Sequence, residues 1–183
     1  MEGKRARNIG GALVGALALA GAAFGATSAA AHNGGAEQAS AVLQDAGGKT
    51  VGFARFTEDA SGTVHVNIKV SGLTEGLHGT HVHGIGSCTS GASTFSGAGS
   101  HHNPPPAQPH GDHAGDLPNM TVNGAGRGRL NTNGAGFTLS AGATTIFDTD
   151  GSALVVHADT DDYMTDPTGN SGGRVVCGII RAG

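Results

Sequence analysis

An all-β domain, an antiparallel sandwich or barrel, is the fold class that this 183-residue chain predicts. Three observations carry that expectation. Val64, Val66, Ile68 and Val70 alternate with His65, Asn67 and Lys69, the period of a strand with one buried face. No stretch has the 3.6-residue apolar periodicity of a long amphipathic helix. Glycine supplies 34 of the 183 residues. Gly, Asn and Asp cluster between the apolar runs, the pattern of short strands joined by tight turns.

The chain opens with Lys4, Arg5 and Arg7, then an acid-free run of small and apolar residues from 9 to about 24. Ala26-Thr27-Ser28-Ala29-Ala30-Ala31 follows. A basic start, an apolar middle and a small-residue end make a secretory signal peptide over residues 1–31, removed after Ala31. The competing reading is a retained anchor, but the run is too short and too rich in Ala and Gly to favour a spanning helix. No adjacent Arg pair or Cys stands near the cleavage site, which leaves twin-arginine export and lipid attachment unsupported. The expected product is exported: secreted, periplasmic or held in the cell envelope, with no stable membrane span. Residues 32–40 are expected to be a flexible N-terminus and 41–183 the folded domain.

Removing 1–31 takes away Glu2, Lys4, Arg5 and Arg7, which leaves 7 basic and 13 acidic residues and a net charge of −6 with neutral histidine. That balance argues against nucleic acid or an anionic membrane as the general partner. Cys88 and Cys177 are the only cysteines. An even count in an exported chain suggests a disulfide; two buried free thiols are the alternative. Closing so long a loop contributes about 4–5 kcal/mol in the chain-entropy account.

Within the domain, Val42-Leu43-Gln44 and Val51-Gly52-Phe53-Ala54-Arg55-Phe56 read as strands, each followed by a turn signal. Residues 64–70 form the clearest strand, with His65 on its polar face as a bystander. Further strands are expected at 120–122, 127–131, 137–139, 153–158 and 174–181. Two long segments, 84–117 and 158–173, break the rhythm. Long connections without regular structure in a small domain are usually functional or disordered.

Those segments hold the chemistry. In Gly76-Leu77-His78-Gly79-Thr80-His81-Val82-His83, His81 and His83 share one face of a strand and Val82 takes the other. Two imidazoles on a rigid strand make half of a transition-metal site, although such a pair alone is more often a surface feature. Downstream come Ala98-Gly99-Ser100-His101-His102-Asn103-Pro104 and Pro109-His110-Gly111-Asp112-His113-Ala114-Gly115-Asp116-Leu117. Val155-Val156-His157-Ala158-Asp159-Thr160-Asp161-Asp162 and Arg174-Val175-Val176-Cys177-Gly178 complete the set.

In this order, over residues 42–183, these motifs resemble the copper/zinc superoxide dismutase family. The resemblance implies an eight-stranded antiparallel Greek-key barrel, with two long metal-binding and active-site loops outside it. It implies one copper held by His81, His83, His101 and His157, and one zinc held by His101, His110, His113 and Asp116, with His101 bridging the two. Imidazole suits both metals, and three His with one Asp suit a closed tetrahedral zinc site. The bridge is assigned to His101 rather than His102 because it lies two residues before Asn103 and three before Pro104; His102 is expected to pack or to face solvent. Asp161 matches a carboxylate that orients His81 and His110, while Asp159 and Asp162 read as solvated turn residues. His78 resembles a bracing residue, and His32 belongs to the terminus. Arg174 matches the Arg that attracts a small anion, and Cys88 the loop cysteine paired with Cys177.

The implied activity is disproportionation of superoxide to oxygen and hydrogen peroxide by Cu(II)/Cu(I) cycling, with Arg174 and His101 as the catalytic side chains. Superoxide is the expected partner, and the chain a monomer or homodimer. Three features depart from the family pattern. Residues 159–173 contain no Lys or Arg to guide the anion, only two residues separate His110 from His113, and Thr80 stands where an aromatic is common. The alternatives are an exported copper-buffering protein of the same fold with little turnover, and an adhesive β-sandwich with incidental histidines.

Overall fold

The computed structural model describes residues 37–183 apart from Ala135. The expected signal segment and His32 lie outside the described residues. Among the described residues, the strands are β1 (Glu37–Asp45), β2 (Thr50–Glu58), β3 (Val64–Ser71), β4 (Gly76–His83), β5 (Asp116–Val122), β6 (Arg127–Asn133), β7 (Ala153–His157), β8 (Arg174–Ile179) and the two-residue β9 (Arg181–Ala182). One 3-10 turn spans Ser96–Ala98.

The spatial order is β1-β2-β3-β6-β5-β4-β7-β8, all antiparallel, with β8 and β9 returning to β1. The expected closed eight-stranded barrel is present, and β9 is a short continuation of β8 past Ile180. β3 pairs with β6, and β4 lies between β5 and β7. The chain therefore crosses the barrel end twice, the Greek-key connection.

Register follows from which side chains must be buried. β3 alternates buried and exposed along its whole length. Phe56 lies opposite Val66, and Ile68 opposite Leu130, so their side chains meet inside. Leu43, Phe56, Ile68, Val82, Leu117, Met120 and Leu154 fill the interior. Shifting any of these strands by one residue would turn its apolar set to solvent. β7 differs, since all five residues are buried. Leu154 and Val156 face the barrel core, while Ala153 and Val155 join Phe95, Ala98 and Cys177 in a second cluster outside it. The 84–115 connection covers that outer face, which is where His157 sits.

Two sequence expectations are corrected. The stretch 32–40 is not all flexible terminus: Glu37–Ser40 belong to β1, with Ala39 paired to Phe56 on one side and Ala182 on the other. Ala39 and Ala41 are the inward residues, and alanine alternation carries little strand signal. Residues 137–139 do not form a strand. Phe137 and Leu139 are buried, but the segment makes only an isolated bridge, Thr138 to Thr145, and the next two amides are met by a carboxylate. Glu58 Oε2 accepts from the Leu139 and Ser140 amides at 2.8 and 2.6 Å, and Oε1 from Ser140 Oγ at 2.8 Å.

Candidate metal centre

β4 projects His81 and His83 to the outer face while Val82 enters the core. β7 lies beside β4, with Val155 opposite His81 and Ala153 opposite His83, so His157 emerges on the same face. His101 is brought in by a bridge to His83. The His102 amide donates to Val82 O, and the Gly115 amide to His102 O, at 2.8 Å each. These bonds bind the His101–His102 stretch and the start of β5 to β4. Six imidazoles and two carboxylates are thereby buried together: His81, His83, His101, His110, His113, His157, Asp116 and Asp161.

Their donor atoms fall into three overlapping groups, each with all its atoms within 4.8 Å of one another: His81, His83, His101 and His157; His101, His110, His113 and Asp116; and His81, His110 and Asp161. The hydrogen bonds decide which nitrogen of each ring is free. His81 Nε2 donates to Asp161 Oδ2 at 2.6 Å, His83 Nδ1 to Gly99 O at 2.9 Å and His157 Nδ1 to Gly172 O at 3.2 Å. A neutral imidazole has one N–H, so His81 Nδ1, His83 Nε2 and His157 Nε2 are left as lone pairs facing one another. His83 Nε2 and His157 Nε2 stand 3.4 Å apart.

His101 belongs to two groups. Its Nδ1 is 2.8 Å from Asp116 Oδ1 and 3.4 Å from His113 Nδ1. Its Nε2 is buried without a partner, and so are His81 Nδ1 and His110 Nδ1. Buried polar atoms without partners are costly, and three on the inner edges of one cluster fit metal coordination. His110 Nε2 donates to Asp161 Oδ1 at 2.8 Å, and its Nδ1 turns toward Asp116 Oδ2 at 3.3 Å. The donor set therefore fits two ions sharing one imidazole.

Electrostatics keep the donors ready. Burial, aided by neighbouring imidazoles, pushes His83 well below its usual range, His101 to about 4 and His157 to about 3. Each is then neutral, the form that binds metal. Burial opposes ionisation of Asp161 and Asp116, but hydrogen bonds from His81 and His110 to the first, and from His101 to the second, hold both carboxyls low.

The remaining histidines among the described residues fall in none of these groups. His102 is buried and its Nε2 donates to Thr144 O at 3.2 Å. His78 is braced between the carbonyls of His157 at 2.7 Å and Thr74 at 3.0 Å. His65 is exposed and pairs with Asp59 at 2.9 Å. Sequence reasoning missed Asn119, whose side chain binds the Asp161 backbone twice, accepting from its amide and donating to its carbonyl at 2.9 Å each. It also missed the carbonyls of Gly99 and Gly172. No residue type marks a backbone acceptor, and Asn119 lies in a strand far from Asp161 in sequence.

Comparison with known proteins decides the family. The chain matches the copper/zinc superoxide dismutase (SODC) family over residues 50–180. It is 41% identical over 156 aligned residues to the Cu-Zn superoxide dismutase of Deinococcus radiodurans, covering 76% of this chain and 82% of that one. The Cu-Zn superoxide dismutase 2 of Aquifex aeolicus is 34% identical, with 96% of this chain and 99% of that one covered. The crystal structure of a SOD-like protein from Bacillus subtilis is 36% identical, with a TM-score of 0.70 and coverage of 76% and 95%.

The chain belongs to the copper/zinc superoxide dismutase family.

The family is one of oxidoreductases, and two further features of this superoxide dismutase relative bear on its site. Arg174 is the register partner of His157, and its charge adds to the effect of burial on His83 and His157. Its guanidinium donates to Phe95 O at 2.7 Å and Gly99 O at 2.5 Å. Cys88 and Cys177 form a disulfide, with Cα atoms 5.8 Å apart. The bond ties the loop that carries those carbonyls to β8, which carries Arg174. A disulfide fits an oxidising compartment. No helix among the described residues is long and apolar enough to cross a membrane.

Proposed function

We propose that the protein disproportionates superoxide, two superoxide ions and two protons giving one oxygen and one hydrogen peroxide. The observation that carries this reading is His101, whose two ring nitrogens face two different donor groups. His81 Nδ1, His83 Nε2, His101 Nε2 and His157 Nε2 would hold copper. His101, His110 and His113 through Nδ1, with Asp116, would hold zinc. When bound, copper supplies a one-electron Cu(II)/Cu(I) couple and zinc supplies fixed positive charge.

The chain's own groups do the rest. Arg174, held by two carbonyls, presents a fixed cation to an incoming anion and orients it. His101 Nε2 is the atom placed to hold a proton and return it to the developing peroxide, because Nδ1 stays engaged on the Asp116 side. Asp161 keeps His81 and His110 in the metal-binding tautomer. The disulfide and the basic, apolar N-terminal pattern support an exported protein.

The test is metal content and superoxide dismutation on the copper- and zinc-loaded chain beside a His101→Ala variant. One copper and one zinc per chain, with turnover lost in the variant, is the expected result. A second reading, copper buffering with little turnover, draws on the absence of Lys and Arg from 159–173. Arg174→Ala separates the two. Unchanged copper binding with turnover lost supports the enzyme, and no turnover in the parent chain supports the buffer.

A further inference from the structure

The outer face of β1, β2, β3 and β6 is unusual for so acidic a chain. Every exposed residue on these four strands is neutral or basic. Val42, Phe53, Lys69 and Arg129 lie side by side in register across them. In the next row Arg55 lies opposite Asn67, and Asn67 opposite Asn131, whose side-chain amides are hydrogen-bonded. Arg127 stands two residues from Arg129 on the same face. Like charges directly opposed on neighbouring strands are destabilising, yet Lys69 faces Arg129. Among the described residues, none of Arg55, Lys69, Arg127 and Arg129 has a carboxylate within 4.0 Å.

Two shallow depressions adjoin on this face. One is lined by Phe53, Lys69, Arg127 and Arg129, the other by Arg55, His65, Asn67, Asn131 and Asn133. Phe53 is 60% exposed and Val42 51%. The surface thus combines an open aromatic ring, a row of amides and four cations without counterions.

We propose that this face binds a linear acidic polysaccharide. The cations meet its carboxylates through charge-assisted hydrogen bonds. The Phe53 ring covers the apolar C–H face of a sugar, and Asn67, Asn131 and Asn133 meet its hydroxyls. A bilayer would need a broader apolar surface than Phe53 and Val42 offer, and stacking successive bases of a nucleic acid takes more than one aromatic. The face lies on strands other than β4 and β7, which carry three of the metal-site histidines, so occupancy leaves those histidines uncovered.

The probe is polygalacturonate, titrated at low ionic strength against the metal-loaded chain. Dextran, phosphatidylglycerol vesicles and polyuridylate serve as comparisons. Binding is expected to polygalacturonate alone and to weaken with salt. Lys69→Gln/Arg129→Gln should weaken it about tenfold or more, about 1.4 kcal/mol, with metal content unchanged and folding at least as stable because a repulsion is gone. Phe53→Ala should weaken it while leaving the cations in place. No retention, equal retention on dextran, or retention unchanged in the double variant overturns the proposal. So does binding to vesicles or polyuridylate without polygalacturonate. A dimer that Phe53→Ala dissociates also overturns it, by showing that a second copy covers the face.

Discussion

Asp161 and His81 are joined by a 2.6 Å hydrogen bond between two fully buried side chains, 80 residues apart in sequence. The same carboxylate reaches His110 through its other oxygen. One side chain from the 158–173 connection therefore sets the ring orientation of a residue in each four-donor group.

Asp161→Asn should uncouple the two groups. An amide cannot accept from both rings through two equivalent oxygens, so one histidine loses its partner. Loss of such a partner typically costs about 10–100-fold in metal affinity. Competition with a chelator, read by metal content, should show that loss while the barrel still folds.

Gly169→Ala should reproduce that defect without removing a polar atom. Gly169 has φ +62, and a Cβ built on it would lie 1.9 Å from Asp161 Oδ1 and 2.3 Å from His110 Nε2. Either the carboxylate or the loop must move. Gly173→Ala is the control, since a Cβ there meets nothing within 4 Å. If the two alanine variants retain metal equally, the close approach at Gly169 does not matter.

Glu58→Ala should destabilise the barrel and spare the metal site. It strands the buried amide of Leu139 and that of Ser140, and an unmet buried donor costs about 1–3 kcal/mol. A drop of at least about 2 kcal/mol in denaturant unfolding, with normal metal content, is the expected outcome.

Acid should destabilise the metal-free protein in two stages. His101 and His157 titrate near 4 and 3 when folded, against 6.5 when unfolded. As pH falls below 6.5 the unfolded chain takes up protons that the native state refuses, so stability falls until the folded values are reached. Asp116 and Asp161 are depressed as well; their contribution is present above 3.8 and is lost as pH falls below it. Unfolding midpoints measured from about pH 7 down to about pH 4 should decline throughout. A flat profile would mean that these rings are solvated.

Much of this was legible before the structure. The alternation of 64–70 marked β3, and the motifs around His81, His101, His110 and His157 named histidines that the fold gathers into one buried cluster. β1 was half hidden because Ala39 and Ala41 point inward where a β-branched residue would have announced a strand. Residues 137–139 misled for the opposite reason. Phe137 and Leu139 alternate as a strand does, but their segment is anchored by Glu58, a partner that local pattern does not reveal.

Residue types and their periods were enough to say which side chains must be buried and which histidines share a strand face. What depends on atoms from distant segments waited for the folded chain. The free nitrogen of each ring is one such choice, because it rests on a carbonyl at Gly99 or Gly172 or on the Asp161 carboxylate. The gathering of Arg55, Lys69, Arg127 and Arg129 from three strands onto one face is another, because barrel closure sets which outward residues become neighbours.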